Sequence, residues 1–159
     1  MLESGRDCIR IRIYIKGIAV YHTVTRTIPS GRDTMATRIT IRFEAFELSA
    51  ELEETPTGGA IAAALPLTGI ANRWGDEIYF TIPVDLPTEP QSREIVNAGD
   101  LGYWPTGNAF CIFFGPTPVS EGNEIRAASP VNVFGKVEGD LGPLFAVQTG
   151  DMVELELTD

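Results

Sequence analysis

Residues Leu101 to Gly115 read LGYWPTGNAFCIFFG: an aromatic approach, a tight polar turn, then an almost wholly apolar run. Ala109 to Phe114 is too short for a free-standing helix and carries Phe, Ile and Cys, so it reads as a strand buried on both faces. The stretch sets a core strand beside a candidate pocket. It specifies architecture before it specifies any reaction.

Outward from that strand, the same alternation recurs. Thr37 to Phe43, TRITIRF, sets Ile39, Ile41 and Phe43 against Arg38, Thr40 and Arg42, and AFELSAEL follows after a short turn at Glu44. Two antiparallel strands are the simplest account. In ETPTGGAIAAALPLTG, Thr55 is placed to cap a helix, Pro56 takes its first position, and Ile61, Ala64 and Leu65 recur at helical spacing. Gly58 and Gly59 weaken this helix by about 1 kcal/mol each relative to Ala, and Pro66 ends it.

Asn72 to Asp76 reads as a turn ending in Gly75. Ile78, Phe80 and Ile82 then alternate with Glu77, Tyr79 and Thr81 as a further strand. Residues 85 to 100 and 115 to 130 each contain two or more prolines without apolar periodicity, and read as surface excursions. Val131 to Val137 is a strand with Gly135 as a bulge, and MVELEL is the last strand. Six to eight strands, one or two short helices and a glycine or proline at nearly every corner predict a mainly β protein. Its economical form is a closed β-barrel, because closure removes exposed strand edges.

The chain has 159 residues, 43% apolar and 21% charged, which is enough for one domain with a real core and short for two. Its net charge of −10 is uneven. Residues 1 to 34 hold six Lys/Arg and three Asp/Glu, whereas residues 35 to 159 hold six and nineteen. So acidic a body excludes phosphate-backbone binding, which rests on Lys/Arg neutralisation, and no nucleic-acid partner is expected. Cys8 and Cys111 are the two cysteines, with Cys111 in the most apolar strand; no disulfide and a reducing cytoplasm are expected. No run of eighteen apolar residues occurs, and Arg10, Arg12 and Lys16 interrupt the isoleucines of the N-terminus, so neither membrane insertion nor export is expected.

Residues 8 to 21, CIRIRIYIKGIAVY, alternate as a strand and lead into a polar linker. Two readings of residues 1 to 34 stand: an accessory strand on the barrel, or upstream sequence joined by a misassigned start, with Met35 the initiator. The barrel domain is placed at residues 35 to 159.

FELSAELEETPTGGAIAAALPLTG, GDLGYWPTGNAFCIFFG and VNVFGKVEGD resemble the second strand and first helix, the central Phe-rich strand and the penultimate strand of the cyclophilins. These are the barrel family of peptidyl-prolyl isomerases. ANRWGDEIYF, YWPTGNAFCIFFGPTP and SPVNVFGKVEG resemble more closely a group of small prokaryotic cyclophilin-like proteins of unassigned function. The likeness runs from Thr37 to Leu157. It implies a cyclophilin-like barrel, and it allows the isomerase site to be carried over position by position. The arginine's place falls on Phe80, in IYFTIP, and the pocket histidine's place on Val131; the one histidine of the chain is His22. The glutamine and phenylalanine of the Phe-rich strand fall on Asn108 and Phe110, and a one-residue shift would set Ala109 and Cys111 there instead.

Prolyl isomerisation needs an apolar slot for the ring and a donor that favours the twisted amide. With Phe80 in the arginine's place the slot survives without the donor. Arg73 is a candidate replacement from the adjacent turn, against the alternative of a solvated arginine stacked on Trp74. One histidine and two distant cysteines give no metal-ligand spacing and no Ser-His or Cys-His dyad, so no metal or cofactor is expected. Asp76 with Glu77, and Glu53 with Glu54, read as solvated acidic turns. Tyr103, Trp104, Asn108 and Phe110, with Phe80, are the candidate ligand-binding residues. The expected function is binding of a small molecule or an extended, proline-containing peptide in an aromatic pocket, without efficient catalysis. The alternatives are a weak isomerase, an accessory barrel of a small-amide hydrolase system, and a barrel end merely plugged by Trp104 and Phe110.

Overall fold

The structure, a computed structural model, describes residues 6–15, 18–27 and 36–158, the first two ranges as backbone. The chain divides into two compact units, residues 1–35 and 36–159; Met35, and with it the question of an internal start, lies outside the described residues. In the first unit, β1 (Arg6–Ile15) and β2 (Ile18–Thr27) form an antiparallel pair with Arg6 opposite Thr27 and Ile15 opposite Ile18. The single strand expected over residues 8 to 21 is thus two strands, and residues 22–27 of the expected linker belong to the second.

The second unit is mainly β, as expected. It comprises β3 (Thr37–Arg42), β4 (Glu47–Leu52), the helix α1 (Pro56–Ala64), β5 (Leu67–Ile70), β6 (Asn72–Trp74), β7 (Glu77–Thr81), β8 (Arg93–Val96), β9 (Asp100–Trp104), β10 (Ala109–Phe113), β11 (Ile125–Val137) and β12 (Met152–Leu157), with 3-10 turns at Pro105–Gly107 and Gly142–Ala146. One antiparallel sheet runs β5, β12, β3, β4, β11, β9, β10, β7, β6, and β8 pairs with β11.

Hydrogen bonds do not close this sheet, because its terminal strands β5 and β6 do not pair with each other. They are instead consecutive in the chain, separated by Ala71 alone. The Ala71 N–H donates to the Asp151 carbonyl at 2.8 Å, and its own carbonyl accepts from the Gly150 N–H at 2.9 Å. The barrel is therefore completed by the backbone passing from one sheet edge to the other.

Inside lies one apolar cluster. The register aligns Phe80 on β7, Phe110 on β10 and Tyr103 on β9, with Ile78, Ile112 and Leu101 as the next row, and all six are fully buried. Phe80 stacks on Phe110 with ring centroids 5.1 Å apart, and Phe110 meets Phe134 edge to face at 5.2 Å, the geometries aromatic quadrupoles favour. The helix begins as its sequence dictates: Thr55 Oγ1 accepts from the Gly58 N–H at 2.9 Å, Pro56 opens the first turn, and Ile61 is buried. Gly58 does more than weaken α1. A Cβ there would lie 2.3 Å from the Glu53 carbonyl, so the close approach of the helix start to that backbone requires glycine.

A second buried cluster lies on the outer face of β10, where Ala109, Cys111 and Phe113 pack with Val96, Ile125 and Val131. β10 is thus buried on both faces, as its composition demands. The cover comes from β8 and the first half of β11, two segments expected to be surface excursions. The β11 segment was illegible as a strand because its apolar alternation stops after Ile125 and Ala127, and because Pro130 sits within a register shift between Arg126 and Val131. Gly135 lies at the expected bulge, beside a second register shift against β9.

Candidate functional site

Between β6, β7, β9 and the first half of β11 lies a cavity of about 170 Å³ lined by Trp74, Glu77, Tyr79, Trp104, Ala127, Ala128 and Val131. Strand register explains its shape. Glu77 stands opposite Trp74 on one side and Phe113 on the other; Tyr79 stands opposite Cys111, and Cys111 opposite Gly102; Trp104 stands opposite Ala109. Three aromatic side chains and Glu77 therefore stand on one face of the sheet, and Ala127, Ala128 and Val131 complete the lining. At Gly102 a Cβ would come within 3.0 to 3.2 Å of Phe113 and Val131, so the close packing of β11 over β9 depends on its absence. Trp104 is oriented by its indole N–H, which donates to Ser129 Oγ at 2.6 Å.

Glu77 is only 6% exposed, although its sequence position reads as a solvated turn. Its carboxyl forms no ion pair among the described residues. Burial pushes its pKa up to about 7, and the neighbouring Cys111 thiol opposes the shift only in part. The thiol is itself driven well above its ordinary range, by burial first and then by the neighbouring carboxylate, so Cys111 is a packing residue and no thiolate nucleophile. Two signals could have found Glu77: it shares strand parity with Tyr79, and it follows Trp74 across a two-residue turn. What concealed it is that the covering layer, β8 with β11, was not recognised.

The residues singled out from sequence separate onto two faces. Trp104 lines the cavity, as does Val131, the place of the family's pocket histidine. Phe80, Phe110 and Tyr103 point into the barrel. The one-residue alternative describes the outer face, which carries Ala109 and Cys111. The Tyr103 hydroxyl donates to the Val84 carbonyl at 2.6 Å, accepts from the Leu86 N–H at 3.2 Å and stands 3.2 Å from Asn108 Oδ1. Asn108 closes the turn before β10 in the left-handed conformation (φ 46°), which asparagine tolerates better than most residues. Its carbonyl holds the Ile82 N–H at 2.9 Å.

Arg73 neighbours Trp74 on β6 and so points to the opposite face. Its guanidinium donates to the carbonyls of Gly75 (2.6 Å), Phe145 (3.1 Å) and Val147 (2.9 Å) and to Asp76 Oδ1 (3.1 Å). The ring beneath it is Phe114, at 4.9 Å, in place of the expected Trp74. Among the described residues no group of three or more His, Cys, Asp or Glu is placed to hold a metal ion, and no helix is long and apolar enough to cross a membrane.

Fold and cavity together define an antiparallel barrel with a small aromatic pocket outside its core. The sequence model of the Cyclophilin-like family matches residues 37–156, and the chain belongs to that family. Among solved structures it is similar to a hypothetical protein of Archaeoglobus fulgidus determined in solution. The two share 45% identity over 80% of this chain and 99% of the other, with a TM-score of 0.68. No curated protein matches the chain.

Proposed function

We propose that the protein is a binding module that takes one small ring, free or as the proline of an extended peptide, in the cavity between Trp74, Tyr79 and Trp104, without efficient catalysis. The observation that supports this is the cavity itself: three aromatic side chains beside Ala127, Ala128 and Val131, with about 170 Å³ of space. A buried apolar cavity of roughly 150 Å³ accepts a benzene-sized molecule, so the space suits a single five- or six-membered ring. Against catalysis stands the lining, which includes no arginine among the described residues, while the Arg73 guanidinium is fully engaged on the other face of β6.

The test is titration of the full chain with N-acetylpyrrolidine and with a panel of Xaa-Pro peptides. Tryptophan emission reports binding, and a protease-coupled assay reports isomerisation. Saturable changes lost in Trp104→Ala, with no acceleration of isomerisation, are expected. Acceleration would establish a weak isomerase instead, and a flat titration of a folded protein would remove the binding reading.

A further inference from the structure

Glu77 is the feature of the cavity that a slot for neutral rings does not explain. A glutamate more than nine-tenths buried as a residue normally has an arginine, lysine or several N–H donors beside its carboxyl, because an isolated desolvated charge is costly. Here its neighbours are Trp74, Phe113, the Cys111 thiol and the Tyr79 phenol, and across the cavity stand Ala127, Ala128 and Val131. The cations closest in sequence point elsewhere. Arg73 is tied to Asp76, Phe145 and Val147 on the far face of β6, and Arg126 to Glu94 and Glu124. Among the described residues the carboxyl thus lacks a counter-charge, while it lines a cavity that also holds the aromatic side chains of Trp74, Tyr79 and Trp104.

Aromatic faces carry negative electrostatic potential, and a cation enclosed by them gains most when it is also desolvated. A small organic cation satisfies both halves of the lining at once, presenting apolar carbon to the rings and positive charge to Glu77. The strongly acidic body of the chain adds a long-range attraction of the same sign.

We infer that the cavity is a site for a small organic cation, an alkylammonium group of about one ring's size, with Glu77 as its counter-ion and Trp74, Tyr79 and Trp104 as its aromatic walls. The inference rests on the proposed reading that this cavity is the binding site, and it narrows the ligand class.

Tetramethylammonium chloride, titrated into the full chain against sodium chloride of equal ionic strength, is the direct probe; it carries permanent charge and cannot donate a hydrogen bond. The neutral comparison is tert-butanol, of nearly the same shape. At pH 8 the cation is expected to shift both tryptophan indole resonances assigned to Trp74 and Trp104. It should bind at least about tenfold more tightly than tert-butanol and lose that advantage in Glu77→Gln, whose amide is isosteric. Affinity should fall about tenfold per pH unit below pH 7 as Glu77 takes up its proton; among the described residues no other carboxylate and no imidazole lines the cavity. Trp74→Leu, at a half-buried position, should weaken binding without unfolding the chain. Equal affinity for cation and neutral isostere, an unchanged affinity in Glu77→Gln, or no pH dependence would overturn the inference. Should N-acetylpyrrolidine bind where tetramethylammonium does not, the cation is refuted and the ring-binding reading stands; if neither binds, both fall.

Discussion

Trp74 and Glu77 are register partners at the end of the β6–β7 hairpin, separated by the two-residue turn Gly75–Asp76, and both line one cavity. The hairpin thereby sets an indole face and an unpaired carboxyl side by side on the outside of the barrel. The strand residues beside them, Arg73 and Ile78, are turned to the other face and serve the fold.

That placement has a measurable cost. The folded state holds the Glu77 proton up to about pH 7, against an ordinary value of 4.5. Folding therefore takes up a proton between those values, and stability falls as pH rises through that window, by about 3 kcal/mol at most. Glu77→Gln is expected to be more stable than the parent at pH 8 and nearly equal to it at pH 4. Urea unfolding at the two pH values decides; an equal difference at both would show that folding leaves the titration of Glu77 unchanged.

Phe110 and Trp104 should separate stability from binding. Phe110→Ala removes a ring stacked on Phe80 and edge-on to Phe134, for which a loss of about 3–5 kcal/mol is expected. Trp104→Ala, at a half-buried wall, should unfold at a denaturant midpoint much closer to the parent's while abolishing ligand-induced changes in Trp74.

Asn132 is a buried polar junction. Its amide accepts from the Glu89 N–H at 2.9 Å and donates to the Pro87 carbonyl at 3.0 Å and to Thr57 Oγ1 at 3.1 Å. Glu89 in turn accepts from both the N–H and the hydroxyl of Thr57 in the first turn of α1. Asn132→Ala orphans buried partners and should cost about 2 kcal/mol. Faster amide exchange at Glu89 is the local signature, and unchanged exchange there would show that water replaces the side chain.

Arg73 ties the β6–β7 turn to the chain around Phe145 and Val147. Arg73→Met keeps the stem over Phe114 but leaves those carbonyls without their donor, and should destabilise by about 1–3 kcal/mol with ligand affinity unchanged. Loss of binding in a stable variant would return Arg73 to the site.

Cys111 should be inert in the native protein, since the thiolate is the reactive form. Iodoacetamide labelling at pH 8, located by mass spectrometry, is expected to leave Cys111 unmodified until denaturant is added. Rapid native labelling would mean that the layer over β10 opens.

What the sequence by itself determined is local. Alternation marked the strands at Thr37–Arg42, Glu77–Thr81 and Met152–Leu157, Thr55 and Pro56 marked the helix start, and the unbroken apolar run marked β10 as buried on both faces. The motif strings named the family. What only the tertiary structure decided is which face of β10 is the inside of the barrel and what covers the other. A period-2 pattern defines two faces, but when both are apolar it does not rank them, so Phe110 and Cys111 are equally plausible pocket residues until a partner layer is known. That layer comes from β8 and residues 125–131, where Val96, Ile125, Ala127 and Val131 pack against β10, and with it Glu77 changes from an apparent solvated turn into a buried glutamate with no ion pair among the described residues. Burial is a property of long-range contacts, and with it went the chemistry of the site.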